Sequence, residues 1–432
     1  MSEQVTIKLP YGKRELEFTV PAENLLAVLE PAQVPATSDP AGAVRQALRQ
    51  PIGRPPLAQM VRDGQYILVI IDDMTRPTPC YLLLPPLLEE LEAAGKGLRI
   101  EILIATGTHR PMTPAEIEAK VGRAVMNKYP VINHNALDES SLVNLGYTAN
   151  GTPIVVNRRV TEADLVVALG TTVPHCLAGW AGGAKIIQPG ICGEETTNLT
   201  HALSMVSPLP HLGRLDNPMR LEIENIVEKV RLDFMVNMVL NEKAEVVAAV
   251  AGDPLLSQRK AVALASEIWV RPIPVLPDII VVSSYPADLD YWQGIKGLFA
   301  AEPVIKRGGD IILVTPCIEG ISTNPHHLQA MRAMKGVPSR QIRHLGKQMG
   351  IDDLAGLNTA TVAARINELA FVQVLSEGLC DDDLDVLGHE RTHSIQDALA
   401  KAFERQGPAA KVLVITHGGD ICPVLKTPVR DG

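Results

Sequence analysis

We predict that the chain folds into two α/β domains with mainly parallel sheets and an active-site cleft between them. Short runs rich in Val, Ile and Leu alternate with helical patterns, which is typical of parallel sheets covered by helices. The alternation stops at "RPIPVLPD" (271–278), a stretch with three prolines that is the best candidate for a linker, and then starts again. The 432 residues also exceed what one ordinary core needs. We therefore assign 1–270 to a first domain and 271–432 to a second, with the last residues free to return to the first.

The elements of the first domain follow from its residue patterns. Alternation around "PYGK" predicts a β-hairpin over 4–20, and "PAGAVRQALRQPI" (40–52) predicts a helix. Apolar runs and periodicity then predict strands at 65–72, 98–107 and 162–170, helices at 80–95, 113–122, 217–230 and 254–270, and two strands within 233–253 that turn at "NEK". Pro85 and Pro86 are expected to break or kink the helix at 80–95, and Thr113 with Glu116 forms a capping box.

The second domain repeats the same rhythm beyond the proline-rich stretch. Strands are predicted at 278–284, 309–315, 371–376 and 410–416, with helices between them. The acidic segment "DDDLD" (381–385) is expected to be a solvated helix start or a loop.

Composition and charge exclude several classes of protein. The net charge is −9 and no basic stripe appears, so nucleic acid is not an expected partner. The longest apolar run, "YILVII" (66–71), is far too short to cross a membrane, and the first ten residues carry no signal-peptide pattern. We therefore expect a cytoplasmic protein with no membrane partner. The six cysteines stand singly without a CxxC pair, which favours free thiols over a structural metal site.

Polar residues collect where four of the predicted strands end. These strand ends read "DDMTRPTP" (72–79), "TGTHRPMT" (106–113), "GTTVPHCLAGWAGGAK" (170–185) and "SSYPADLDYWQGIKG" (283–297). In parallel sheets, ligands bind outside the carboxyl ends of the strands. Three of these ends lie in the first domain and one in the second, so together they predict a cleft between the domains.

Three side chains in these segments suit acid–base chemistry on an anionic ligand. Arg76 can clamp a carboxylate through two parallel hydrogen bonds, or it can pair with Asp72 or Asp73. His109 and His175 each follow a strand within a turn, and histidine carries protons at neutral pH. Alone, each is more often a loop or capping residue. As a pair at neighbouring strand ends, they indicate an acid–base couple.

The segment "HCLAGWAGGAK" (175–185) ends a Gly-rich loop with a lysine. A Walker A loop reads GxxxxGK[ST], but Ala184 replaces its last glycine and Ile186 replaces the hydroxyl that would hold Mg²⁺. The glycines instead let a flat ligand approach the backbone, and Lys185 can act as a nucleophile or carry a covalent modification. His201 is either an ordinary helix-face residue or a metal ligand, since neutral imidazole binds Ni, Zn or Cu. The motifs GxGxxG and GxSxG are absent, so neither a standard dinucleotide site nor an α/β-hydrolase is indicated.

These segments, together with His201 and "YWQGIKG" (291–297), resemble the nickel-dependent lactate racemase family in order and spacing over nearly the whole chain. The resemblance implies a nickel-pincer nucleotide, a pyridinium mononucleotide with two sulfur-bearing arms in which a ring carbon and both sulfurs hold nickel. It implies that Lys185 carries one arm as a thioamide and that His201 is the protein ligand to nickel. Gly182 and Gly183 then leave room for the flat cofactor.

The same resemblance implies the reaction and the substrate-binding residues. The expected activity is racemisation or epimerisation of a 2-hydroxy acid by reversible hydride transfer, with His109 and His175 as catalytic bases on the two sides. Arg76 and Lys296 are expected to bind the carboxylate, with Asp73 orienting Arg76. Cofactor-synthesis proteins are the expected protein partners.

Three further residues are expected at the substrate. Gln293 lies near Lys296 in the sequence, and Trp292 and Trp180 are candidates for pocket walls, although a tryptophan is more commonly part of a core. The loop "GWAGGAKIIQPG" (179–190) departs from the "GYSGG-K-I-PG" type of the lactate enzymes, so the expected substrate is lactate or a related 2-hydroxy acid.

Two other functions are weighed against this one. A metal-dependent hydrolase or lyase would use His109, His175 and His201 directly, with zinc or manganese and no covalent adduct. A non-catalytic protein would use the same scaffold to sense an anionic metabolite.

Overall fold

The computed structural model describes residues 3–207 and 210–426 of the chain. Its strands are β1 Gln4–Tyr11, β2 Arg14–Pro21, β3 Leu25–Leu29, β4 Tyr66–Asp72, β5 Arg99–Ala105, β6 Val131–Asn133, β7 Leu142–Tyr147, β8 Pro153–Asn157, β9 Leu165–Thr171, β10 Pro174–His175, β11 Gly179–Trp180, β12 Phe234–Leu240, β13 Val246–Gly252, β14 Val270–Ile273, β15 Ile279–Ser283, β16 Asp310–Val314, β17 Phe371–Leu375, β18 Glu390–Arg391, β19 Val412–Ile415 and β20 Cys422–Leu425. Its α-helices are α1 Pro40–Arg49, α2 Leu57–Met60, α3 Cys80–Ala94, α4 Pro114–Val121, α5 Arg123–Lys128, α6 Arg159–Glu162, α7 Glu194–Val206, α8 Pro218–Val227, α9 Pro254–Trp269, α10 Tyr291–Gly294, α11 Lys296–Ala301, α12 Pro325–Ala333, α13 Ser339–Gln348, α14 Leu354–Asn367, α15 Asp381–Leu387 and α16 Ile395–Gln406.

The first large sheet has the strand order β13-β12-β9-β4-β5-β6. All neighbours are parallel except the β12–β13 hairpin at its edge. Successive residues of β4 enter opposite cores: Val69 packs toward α1, α3 and α4, and Ile70 packs toward α6 and α8. Because helices cover both faces, β4 is buried along its whole length, which explains its continuous apolar sequence.

The second large sheet has the order β18-β17-β16-β15-β19-β3, and all its neighbours are parallel. One face packs against α11, α12 and α14. The other face packs against α16 and the β1–β2 hairpin. The predicted fold class, two mainly parallel α/β units, is therefore confirmed. The boundary at residue 270 stays a prediction, and residues 4–29 pair and pack with the second sheet.

Two predicted features differ in the structure. The helix at 80–95 is not broken, since α3 runs without interruption through Pro85 and Pro86, and the expected kink stays a prediction. Proline removes the N–H groups that would bond the carbonyls of Tyr81 and Leu82, and these two residues are exposed to water. The proline-rich stretch is not wholly a linker either, because β14 lies in its first half and pairs in parallel with β20. In the described part of the chain, no helix is long and apolar enough to cross a membrane.

Candidate active site

The site lies where the strand order of each sheet reverses. In the first sheet the chain runs from β4 to β5 on one side and later returns to β9 on the other, and in the second sheet β15 is flanked by β16 and β19 in the same way. The segments that leave such neighbouring strands diverge and open a crevice at their carboxyl ends. Segments 73–79 and 172–185 do this in the first sheet.

His109 is held by a carboxylate from the neighbouring strand end. Its Nδ1 lies 2.7 Å from Asp73 Oδ2, and Asp73 Oδ1 accepts hydrogen bonds from the Thr75 amide and hydroxyl. Burial alone would raise the pKa of Asp73, but the hydrogen bond and charge of His109 and the bond from Thr75 lower it to about 2. An ionised carboxylate can only accept, so Nδ1 of His109 carries a proton, and in the neutral form of the ring Nε2 has the lone pair.

His175 has the opposite ring polarity. Its Nδ1 accepts hydrogen bonds from the backbone amides of Leu177 and Ala178, each at 3.2 Å. A neutral ring held in this way carries its proton on Nε2. Burial, followed by the charges of Lys185 and Arg76, lowers the pKa of His175 well below that of a free histidine, which favours this neutral form.

The backbone of the Gly-rich loop excludes a side chain at several positions, and two of these are Gly182 and Gly183. Gly182 (φ 74°) and Gly183 (φ 56°) are in the left-handed region. A Cβ on Gly182 would lie 2.5 Å from Thr172 Oγ1, and one on Gly183 would lie 2.6 Å from Cγ of Gln258. Asn237 Oδ1 accepts the amide of Gly183 at 2.9 Å and fixes the turn that leads into Lys185.

Lys185 points into the cavity with its amine unpaired. No hydrogen bond or ion pair joins Lys185 Nζ to another of the described residues. Burial, then the charges of Arg76 and Arg220, lower the pKa of Lys185 well below that of a free lysine. Both effects favour the uncharged, nucleophilic amine.

His201 in α7 is oriented as a metal ligand would be. Its Nδ1 donates to the backbone carbonyl of Thr197 at 2.7 Å, so Nε2 keeps the lone pair. Burial lowers the pKa of His201 to about 4, which keeps the imidazole neutral. Thr197 also lines the cavity, and its Oγ1 is buried without a hydrogen-bond partner. An uncharged amine, a neutral imidazole and an unsatisfied hydroxyl in one pocket fit a covalently tethered, metal-containing cofactor.

The second sheet supplies the opposite wall of the cavity. Asp290 caps α10 by accepting the Gln293 amide at 2.8 Å, and the short helices α10 and α11 then present Trp292, Gln293 and Lys296. The Trp292 ring stacks on the His327 ring with centroids 4.7 Å apart. Burial and the nearby Arg76 charge lower the pKa of Lys296.

One cavity brings together almost all the residues singled out in the sequence. Its wall includes Asp73, Arg76, His109, His175, Gly182, Lys185, His201, Trp292, Gln293 and Lys296, while Gly183 of the same loop is not part of the wall. The basic side chains Arg76, Lys185 and Lys296 line this cavity, and none of the three forms an ion pair with another described residue. A cavity with unpaired basic groups of this kind suits an anionic ligand.

Three placements that the sequence suggested do not occur. Asp73 does not orient Arg76 directly, because its carboxylate is taken up by His109 and Thr75; the Arg76 guanidinium instead donates to the carbonyl and hydroxyl oxygens of Thr75, both at 3.1 Å. The alternative pairing of Arg76 with Asp72 is also absent, since Asp72 pairs with Lys120. Trp180 is not a pocket wall, because it is buried in a core with α9 and its indole N–H donates to the Gly213 carbonyl.

Sequence reasoning missed one residue beneath the site and one at its entrance. Lys120 was hidden in the last turn of a predicted helix, where lysine is usually solvated. Asp420 lies in the segment after β19 and lines the wider cleft into which the cavity opens, and the strand-end rule applied to this last strand would have found it. Burial raises the pKa of Asp420.

The geometry gives no support to a site that binds a metal through three histidines. Within residues 3–207 and 210–426, no group of three or more His, Cys, Asp or Glu side chains is placed to hold a metal ion. The segment "HERTH" (389–393) matches the zinc motif HExxH, which requires both histidines on one helix face. Here Glu390 and Arg391 form β18, and the His389 ring is buried between the Tyr291 hydroxyl at 2.6 Å and Asn367 Oδ1 at 3.1 Å.

Comparisons with known proteins match both halves of the chain. The family model for the lactate racemase N-terminal domain matches residues 11–213, and the model for the lactate racemase C-terminal domain matches residues 274–422. The lactate racemase of Lactiplantibacillus plantarum is 31% identical over 424 residues, which are 96% of this chain and 98% of that protein. The lactate racemase of Thermoanaerobacterium thermosaccharolyticum is 32% identical over 321 residues, 73% of this chain and 75% of that protein.

Solved structures show the same fold. The structure of the lactate racemase apoprotein from Thermoanaerobacterium thermosaccharolyticum superposes with a TM-score of 0.89 at 27% identity, over 98% of this chain and 100% of that one. A protein from Thermotoga maritima superposes with a TM-score of 0.70 at 23% identity, over 91% of this chain and 100% of that one, which shows the fold alone.

Proposed function

Because the chain belongs to the lactate racemase family of isomerases, we propose that it racemises or epimerises a 2-hydroxy acid by reversible hydride transfer, with lactate or a related acid as substrate. One observation carries the proposal. Unpaired basic side chains and two histidines that present Nε2 line a single cavity. Such a cavity combines a carboxylate-binding group with proton carriers, which a 2-hydroxy acid needs.

Arg76 and Lys296 bind the substrate carboxylate from opposite walls of the cavity. Arg76 comes from the end of β4 and Lys296 from the start of α11, so the carboxylate bridges the two sheets. Gln293 lies one helical turn before Lys296 and Trp292 lies beside it, which places an amide and an aromatic wall next to the substituent on the substrate. These contacts hold the acid in place while C2 passes through a planar keto state.

His109 takes the hydroxyl proton at Nε2, and Asp73 stabilises the imidazolium that forms. His175 begins with its proton on Nε2 and donates a hydrogen bond to the substrate oxygen. For the enantiomer whose hydroxyl faces His175, Nε2 must accept the hydroxyl proton. The ring must then give up the hydrogen bonds that its Nδ1 accepts from Leu177 and Ala178.

The remaining residues hold the cofactor. When bound, a nickel-pincer nucleotide supplies the hydride acceptor that no amino-acid side chain provides. Lys185 is the tether, through its uncharged amine, and His201 is the nickel ligand, through Nε2. Gly182 and Gly183 keep the loop backbone free of side chains where the tether leaves it.

The test is the intact mass of the protein co-expressed with cofactor-synthesis proteins. We expect a covalent addition of several hundred daltons on Lys185, one nickel per chain, and loss of both in Lys185→Arg. Lys243→Arg, on the β12–β13 turn, is the matched control and should keep the adduct. An unmodified but active Lys185→Arg protein would contradict the proposal.

The fate of the substrate hydrogen tests the reaction type. With a 2-hydroxy acid deuterated at C2, hydride transfer keeps deuterium on carbon while the optical rotation decays. Rapid loss of deuterium to water would instead indicate proton abstraction at carbon and would exclude hydride transfer.

A further inference from the structure

A buried lysine, Lys120, lies beneath the site and is not part of the machinery described above. Its side chain is only 4% exposed, at the end of α4, and its Nζ lies 2.9 Å from Asp72 Oδ1. Nζ also donates to the backbone carbonyls of Asp73 at 2.9 Å and of Arg76 at 3.0 Å. All three donors of the ammonium group are therefore used within a single turn of backbone.

Asp72 extends this contact to the next strand end. Its Oδ2 accepts from the Thr78 hydroxyl and from the Thr171 amide, the latter at 3.3 Å. The Thr78 and Thr171 hydroxyl oxygens are 2.6 Å apart. A continuous buried network thus joins α4 to the segment after β4 and to the carboxyl end of β9, and the last two of these line the cavity.

The network fixes the segment that carries the carboxylate-binding and proton-carrying groups. Lys120 holds the carbonyls at both ends of the turn 73–76, whose side chains include the Asp73 carboxylate and the Arg76 guanidinium. Lys120 and His109 are also close in the chain, because only residues 110–113 separate His109 from the start of α4, and Arg110 in this connection pairs with Glu116 of α4.

We propose that Lys120 is a positioning residue that sets the direction of Arg76 and the Asp73–His109 pair. For Arg76 this rests on the proposed function, since the arginine is taken to bind the substrate carboxylate. For the Asp73–His109 pair it rests on geometry alone. The Asp72–Lys120 ion pair is thus there to hold the turn; buried ion pairs are weak stabilisers compared with apolar residues of similar size.

The two possible roles of Lys120, merely structural or positioning, predict different results for its variants. Removing one member of a buried ion pair leaves an uncompensated charge and lowers stability whatever the pair does for function. The informative variants are therefore Lys120→Met, the charge-balanced pair Asp72→Asn with Lys120→Met, and the conservative Lys120→Arg. Lys128→Met is the matched control, because Lys128 is exposed and forms its ion pair with Glu92 of α3, which is also exposed.

The first readout needs no cofactor. The Nδ1 proton of a histidine bonded to a carboxylate gives a low-field proton resonance, and we expect that of His109 in the cofactor-free protein. It should broaden or disappear in Lys120→Met and in the double variant, return in part in Lys120→Arg, and remain in Lys128→Met. If the double variant folds and keeps this resonance unchanged, Lys120 does not position the pair.

The second readout is the split between KM and kcat in the loaded enzyme. Loss of a charged hydrogen bond at the Arg76 turn should raise KM about tenfold or more in the double variant, with a smaller change in kcat. An unchanged KM would overturn the assignment for Arg76. If the wild-type protein shows no racemase activity at all, the proposed function fails, while the resonance of His109 still decides the role of Lys120.

Discussion

The state of the His109 ring depends on a single carboxylate. In Asp73→Asn an amide replaces the obligate acceptor, so Nδ1 no longer has to carry the proton and Nε2 is no longer held as a base. We expect kcat to fall at least about 100-fold, the usual contribution of a positioned base, with a much smaller change in KM. Steady-state kinetics of the loaded enzyme measure this. Asp138→Asn, in an exposed turn of the first sheet's unit, is the control, and a normal kcat in Asp73→Asn would refute this role.

At the scale of residues, the sequence predicts which side chains line one cavity better than it predicts the hydrogen-bond partner of each side chain. The strand-end rule and the family motifs gather residues from four segments that the structure places around one cavity. The predicted partner of Asp73 was wrong. Arg76 is three residues away in the sequence, but the turn directs the Asp73 carboxylate toward His109. Trp180 was misread for a similar reason: its loop lines the cavity, but the indole points back into the core of α9.

At the scale of elements, the Gly-rich loop rests on a platform made by the first turns of α8 and α9. Arg220 donates to the carbonyl of Ala178 at 3.1 Å and to that of Trp180, and Gln258 donates to the carbonyl of Ala181 at 3.2 Å. Each successive part of the loop is therefore held by a helix beneath it. These hydrogen bonds hold the loop backbone in one conformation, which the attachment point of a large group requires.

Gly183→Ala tests this platform. The new Cβ would meet the Gln258 side chain at 2.6 Å and the Pro254 carbonyl at 3.0 Å, in addition to the cost of a positive φ. Gly151→Ala is a matched control, since Gly151 also has a positive φ but has nothing within 4 Å of a Cβ. We expect Gly183→Ala to lower the free energy of unfolding by about 1–3 kcal/mol more than Gly151→Ala in urea titrations. Equal losses in the two variants would mean that the loop yields without strain.

Element boundaries were predictable where local chemistry decides them. The capping box of Thr113 and Glu116 forms as predicted, and so does the hairpin over the first twenty residues. Pro85 and Pro86 mislead because the cost of proline depends on whether the freed carbonyls reach water, and this depends on which face of α3 is exposed. The strand β14 was missed for a related reason, since Pro272 is tolerated there only because the two-stranded pairing with β20 leaves that side free.

At the scale of the whole molecule, the strand order is what the sequence does not contain. Strand-end segments form a crevice only at the point where the order reverses, and those points, between β4 and β9 and between β15 and β19, appear only when the sheets are assembled. The membership of β3 in the second sheet shows the same limit. Its five residues carry no local mark of a partner nearly four hundred residues away in the chain.

The fold as a whole should lose stability in mild acid, because it buries neutral histidines in both units. Burial lowers the pKa of His134, in the unit of the first sheet, to about 4. Burial also lowers the pKa of His389, in the unit of the second sheet, to about 3. In the unfolded chain both return to the ordinary value near 6.5, so the unfolded state binds more protons below that pH. Their contribution is therefore fully present above about pH 6.5 and is lost as the pH falls toward 4.

Urea unfolding of the cofactor-free protein at pH 7.5 and pH 5.5 measures this loss. Each histidine should contribute roughly 1.4 kcal/mol to the decrease in the free energy of unfolding, since pH 5.5 lies about one unit below the unfolded pKa. His389→Gln keeps a polar group beside the Tyr291 hydroxyl and removes the titration, so it should flatten the pH dependence by about that amount. The exposed His344→Gln is the control. A pH dependence that survives in His389→Gln unchanged would mean that protons enter the core of the second unit without unfolding it.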